Sequence, residues 1–182
     1  MSNATADLVH RIRLDDHESL NHSLLTEYQA CEGAHDLRKT HLFAGRYENI
    51  YATERHMPSL RTLLAKAREQ ASGLLDEPGG DLGIGHWVNA MYPGHVTLPH
   101  THDDDDESLS AVYYVRVPPD SGDLLLRSGS DSLRITPEEG MLVMFPPDME
   151  HEVSEHRGQG IRLSIAMNFG LRRPEDRDES RE

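Results

Sequence analysis

A mainly β domain preceded by helices is the fold class this sequence predicts, and two observations carry it. From Ile84 onward, short apolar runs alternate with clusters of Gly, Pro and Asp, the pattern of a sandwich or a barrel. Before Gly79-Gly80 the apolar residues recur at helical spacing instead, so the chain changes character there.

Taken in order, Asp16 is placed to cap a helix over about 17–30, in which Leu20, Leu24, Leu25 and Tyr28 share one face and Gly33 lies just past the end. Pro58 suits the first turn of a second helix, whose stripe of Leu60, Leu63, Leu64, Ala67, Ala71 and Leu74 runs until Glu77-Pro78-Gly79-Gly80 stops it. That stripe is expected to pack on a sheet. Strands are expected near 84–92, 109–117, 122–127, 132–136, 141–145, 150–154 and 161–169, with turns at Pro118–Gly122 and Thr136–Gly140. Arg172–Glu182 is almost entirely charged and reads as a disordered tail. The organisation expected is one domain over 1–170, helical to about residue 80 with a barrel core over 84–170, followed by the tail at 171–182.

Composition narrows the function. At 182 residues the chain is long enough for one buried core and too short for two domains with a linker. A formal charge of −14 argues against a duplex nucleic-acid binder, because phosphates reward Lys and Arg. No apolar run approaches the roughly 18 residues a membrane span needs, and the N-terminus lacks a signal-peptide pattern, so a soluble cytoplasmic protein is expected. With Cys31 as the single cysteine there is no intramolecular disulfide and no Cys-rich zinc site. Any metal must be held by His and carboxylate, for which the 12 histidines give ample material.

Pro99–Val115 crowds His100, His102, Asp103–Asp106 and Glu107 against an apolar run, and His151 follows Phe145-Pro146-Pro147-Asp148 further on. Two histidines from one hairpin and one from a distant strand suit a mononuclear iron centre in a small β-barrel, since such a centre takes three protein ligands on one face and leaves the other open. The i, i+2 spacing puts His100 and His102 on one side of an extended chain. His102 with Asp104 has the same spacing, and a bend would bring His100 to Asp104, so three registers are open. Arg162 and Ser164 also share a strand face. A guanidinium fork with a neighbouring hydroxyl can hold the distal carboxylate of a dicarboxylate. The competing reading makes Arg162 one half of a surface ion pair.

These residues resemble the 2-oxoglutarate/Fe(II)-dependent oxygenase superfamily, and within it a family of small oxygenases of mostly unassigned substrate. The likeness is carried by Trp87-Val-Asn89-Ala-Met-Tyr-Pro-Gly94, Pro99–Val115, Ser121–Leu124, Glu139–Pro146, His151-Glu-Val153 and Arg162–Phe169, about half the chain. It implies a double-stranded β-helix (jelly-roll, cupin-like barrel) flanked by the two helices. It also implies Fe(II) held by three of His100, His102, Asp104 and His151, with His102 preferred to Asp104 although the superfamily usually has an acid there. The co-substrate 2-oxoglutarate would be gripped by Arg162 and Ser164, with Asn89 and Tyr114, or Tyr113, as further hydrogen-bonding candidates. The activity implied is hydroxylation of a C–H bond using O2, with oxidative decarboxylation of 2-oxoglutarate to succinate and CO2. The expected substrate is a small molecule or amino-acid-like, and a homodimer is compatible with this reading. A cupin is the alternative, since Gly94, His100, His102 and Glu107 also fit that family's first motif; it would use Glu107 as a ligand and need no anchoring arginine.

Overall fold

The computed structural model describes residues 4–76, 82–102 and 107–171. Along the chain come α1 (Ala4–Asp7), β1 (His10–Arg13), α2 (His17–Cys31), β2 (Arg38–Phe43), β3 (Arg46–Tyr51), α3 (Leu60–Leu75), β4 (Leu82–Met91), β5 (Thr97–His100), β6 (Glu107–Arg116), β7 (Leu124–Ser128), β8 (Asp131–Ile135), β9 (Met141–Phe145), β10 (Glu150–Val153) and β11 (Arg162–Leu171). All strand pairs are antiparallel. They form a seven-stranded sheet in the order β1-β9-β6-β11-β4-β3-β2 and a four-stranded sheet in the order β5-β10-β7-β8.

The central strands of the large sheet are buried on both faces, and the period of two sorts their side chains. From β11, Leu163, Ile165, Met167 and Phe169 join the cluster that Leu24, Tyr28, Leu60, Leu63, Ala67 and Ala71 of the two long helices complete. Burying each of the larger of these side chains stabilises the fold by about 1.5–3 kcal/mol. The alternate β11 residues Arg162, Ser164, Ala166 and Asn168 line a cavity between the two sheets. A second cluster, including Tyr114, Leu126, Ile135, Val143 and Phe145, closes the space between the sheets.

Both expected helices form, with Pro58 just ahead of the N-cap of α3 and not in its first turn, and the α3 stripe packs on the sheet as expected. Two local details differ. Asp16 sits at the N-cap position of α2 but in the left-handed region (φ 57°), and its side chain makes no capping bond; the usual N-cap backbone is extended. At α3 the N-cap residue is Ser59, whose N–H and Oγ–H both donate to Glu27 of α2, at 3.0 and 2.7 Å, so a neighbouring helix serves that end.

The larger correction concerns the first part of the chain. It contributes β1, β2 and β3 to the large sheet as well as helices, and β5 was also not expected. β1 and β2 are outer strands rich in polar residues, and β5, with Pro99, is one of the two outer strands of the small sheet. Edge strands bury little and tolerate proline, so they carry weak apolar alternation. The expected stop at 77–80 and the tail at 172–182 lie outside the described residues. Among the described residues no helix is long and apolar enough to cross a membrane.

Candidate metal centre and co-substrate cavity

β5 and β10 pair so that His100 lies directly opposite His151. Their ring centroids are 4.2 Å apart, and His102, just past β5, stands 5.0 Å from each. One nitrogen from each of the three rings lies within 4.8 Å of the other two. The backbone N–H of His102 donates to the Pro147 carbonyl at 2.8 Å, which ties the segment after β5 to the turn that precedes β10. Asp104, the other candidate third ligand, lies outside the described residues.

The hydrogen bonds decide which ring nitrogens carry protons. His100 Nδ1 lies 2.8 Å from the Leu98 carbonyl and His151 Nδ1 lies 3.0 Å from the Met149 carbonyl. A carbonyl only accepts, so Nδ1 is the protonated nitrogen in both rings and each Nε2 keeps its lone pair. Burial, together with the His100 and His102 imidazoles, pushes the His151 pKa down to about 3, so this ring is neutral at ordinary pH. Three imidazoles with one ring nitrogen each this close together fit a divalent iron.

The cavity next to this cluster measures about 520 Å³. Arg162, 1% exposed, lies at one end. Its Nη1 donates to the Met91 sulfur at 2.9 Å, and the guanidinium stands 5.3 Å from the Tyr114 ring. Among the described residues no carboxylate forms an ion pair with it, and its Nε has no hydrogen-bond partner. The surface ion-pair reading of Arg162 is therefore wrong. Burial lowers the Arg162 pKa, opposed by Tyr114 and Asp123. The Tyr114 hydroxyl is likewise buried without a partner, and burial raises its pKa against the pull of Arg162.

Ser164 lies opposite both Asn89 and Tyr114 in the ladders flanking β11, and all three line the cavity. Tyr113 does not. It points to the helices, where its hydroxyl donates to Asn21 Oδ1 at 2.7 Å, while Asn21 Nδ2 donates to the Tyr114 carbonyl at 3.3 Å. Glu107, the fourth ligand of the cupin alternative, lines the cavity but is not part of the imidazole cluster, and its Oε1 accepts from Asn168 Nδ2 at 2.7 Å. Two neighbours went unnoticed in the sequence. Trp87 lies tilted against His102, with centroids 5.4 Å apart, and Arg46 donates to Asn89. Trp87 stood within the segment that carries the family likeness, whereas nothing local marks Arg46.

Two antiparallel sheets enclosing a histidine cluster and a buried, unpaired arginine define a double-stranded β-helix of the iron oxygenase type. This chain matches the family model of the 2OG-Fe(II) oxygenase superfamily over residues 86–170. It is accordingly a 2-oxoglutarate-dependent dioxygenase, with Fe(II) as its metal and 2-oxoglutarate as co-substrate. Solved structures share the fold. A Pseudomonas putida prolyl-4-hydroxylase is 20% identical, with a TM-score of 0.67 over 95% of this chain and 100% of its own. A Trichoplax adhaerens prolyl hydroxylase, solved with a hypoxia inducible factor oxygen degradation domain peptide, is 18% identical, with a TM-score of 0.70 over 99% and 89%. EvdO2 from Micromonospora carbonacea var. aurantiaca, solved with 2-oxoglutarate, is 12% identical, with a TM-score of 0.68 over 94% and 91%. No curated protein sequence matches this chain.

Proposed function

We propose that this protein hydroxylates a C–H bond of a small, amino-acid-like substrate, with His100, His102 and His151 holding the iron and Arg162, Ser164, Tyr114 and Asn89 receiving 2-oxoglutarate. The observation that carries this reading is Arg162, a guanidinium buried at the end of a cavity whose wall also holds the three imidazoles. A buried cation without a carboxylate partner is costly, and an anionic ligand removes that cost. Iron bound by the imidazoles supplies the centre at which the keto acid and dioxygen react.

The chain's own part is binding and placement. Arg162 offers a planar fork to the distal carboxylate, and Tyr114 and Ser164 add hydroxyls on the same side. The carbonyl-bound Nδ1 protons orient His100 and His151 so that their lone pairs converge. Trp87 lies against the His102 ring and Phe145 against the His151 ring, which limits how far these two imidazoles can turn. In the net reaction, one oxygen atom of O2 enters the substrate C–H bond and the other enters succinate as CO2 leaves. Two of the fold neighbours are prolyl hydroxylases, which supports hydroxylation and an amino-acid-like substrate. A single domain over 1–170 working in the cytoplasm belongs to the same reading.

The test is anaerobic loading with Fe(II), titration with 2-oxoglutarate, and then aerobic incubation with a panel of free amino acids and short peptides. Succinate formation that depends on one of these compounds, with a product heavier by one oxygen atom, is the expected result. Iron-loaded protein that does not bind 2-oxoglutarate overturns the proposal.

A further inference from the structure

Arg46 opens β3, far in sequence from the strands that carry the histidines and Arg162, and it is buried. Its guanidinium is held by four acceptors. Nη1 donates to Asn89 Oδ1 at 3.1 Å. Nη2 donates to Glu48 Oε1 at 2.8 Å, the Val96 carbonyl at 2.8 Å and Thr97 Oγ1 at 2.9 Å.

We propose that Arg46 is a positioning residue for 2-oxoglutarate, acting through Asn89 by fixing the side-chain amide so that its NH2 group is turned to the co-substrate. This inference rests on the keto-acid reading of the cavity. A guanidinium has only N–H donors, so the Asn89 atom that faces Arg46 must be the oxygen. The Asn89 amide nitrogen has no hydrogen-bond partner among the described residues, and the residue lines the cavity directly opposite Ser164 in the β4–β11 ladder. An amide turned the other way would present an acceptor to an anionic ligand. The contacts to Glu48, Val96 and Thr97 keep the guanidinium from swinging away. Glu48 also offsets its charge, so orientation rather than long-range attraction is the contribution of Arg46.

The experiment is anaerobic calorimetric titration of iron-loaded protein with 2-oxoglutarate in wild type, Arg46→Gln, Asn89→Ala, the double variant, Asn89→Asp and Arg162→Ala. Arg46→Gln and Asn89→Ala each weaken binding about tenfold, and the double variant is no weaker than the worse single, because both changes remove the same oriented donor. Asn89→Asp still accepts from Arg46 but shows an oxygen to the ligand, and it loses affinity with its melting temperature kept. Unchanged affinity in Arg46→Gln or Asn89→Asp overturns the inference. So do losses that multiply to about a hundredfold in the double variant. If Arg46→Gln does not fold, Asn89→Asp decides alone. Unchanged affinity in Arg162→Ala strikes at the keto-acid anchor itself, whereas loss there beside an intact Arg46→Gln leaves the anchor standing and removes only the role of Arg46.

Discussion

His100 and His151 are ladder partners on β5 and β10, and each lies with its Nδ1 against the carbonyl two residues before it, Leu98 and Met149 respectively. The small sheet thus sets the separation of two imidazoles by strand pairing and sets their tautomer by the backbone. With His102 held by its own backbone bond to Pro147, one ring nitrogen from each of the three imidazoles comes within 4.8 Å of the others.

Iron content is the first consequence. His100→Ala, His102→Ala and His151→Ala are each expected to lose stoichiometric iron after anaerobic loading and desalting, measured by metal analysis, since each removes one of the three proposed ligands. Glu107→Ala and Asp104→Ala keep it. Iron retained in His102→Ala and lost in Asp104→Ala would assign the third position to the acid.

Arg162→Met trades function for stability. Without 2-oxoglutarate the variant is more stable than wild type by about 1–2 kcal/mol in urea unfolding, because a buried charge without a carboxylate partner is replaced by an apolar chain of similar length. Its 2-oxoglutarate affinity falls by about thirtyfold or more in calorimetry. A variant both less stable and equally tight in binding contradicts this account.

The two adjacent tyrosines of β6 separate the same quantities. Tyr113→Phe strands the buried Asn21 oxygen and costs about 1–3 kcal/mol of stability, while 2-oxoglutarate binding holds. Tyr114→Phe removes a hydroxyl without a partner in the protein, leaves stability unchanged or raised, and weakens 2-oxoglutarate binding by about threefold to tenfold. Parallel melting curves and titrations distinguish the two.

Acid should weaken the metal-free protein through His151. Its folded pKa of about 3 lies below the unfolded value of about 6.5, so the residue is neutral in both states at higher pH and makes no pH-dependent difference there. As pH falls below about 6.5, the unfolded chain takes up a proton that the folded one refuses, and stability declines by about 1.4 kcal/mol per pH unit towards pH 3. Urea unfolding of chelator-treated wild type and His151→Asn between about pH 6 and about pH 4 isolates this contribution, with the steeper slope expected for wild type. Equal slopes would show that His151 is charged in the folded protein.

Much of the core was legible along the chain because strands buried against helices on one side and a cavity on the other repeat every two residues. Leu163, Ile165, Met167 and Phe169 alternate with Arg162, Ser164, Ala166 and Asn168, and this alone separates the packing face of β11 from its chemical face. The helical stripe Leu60, Leu63, Ala67 and Ala71 was readable for the same reason, at a different period. Strands β1, β2 and β5 were not, because outer strands bury too little to leave an alternating pattern, and neither was β3, an inner strand whose buried residues Arg46 and Ile50 stand four apart with no strict alternation between them.

By itself, then, the sequence determined the kinds of group available and their local facing: His100 with His102, Arg162 with Ser164, a helical layer and a β layer. Which strands became neighbours was decided only by the tertiary structure. Long-range pairing set His151 against His100, turned Tyr114 to the cavity and Tyr113 to the helices, and carried Arg46 from the first part of the chain to Asn89. Side-chain periodicity is a property of a single strand. Partnership depends on how two sheets and two helices jointly bury their apolar faces, and no local stretch of residues contains that information.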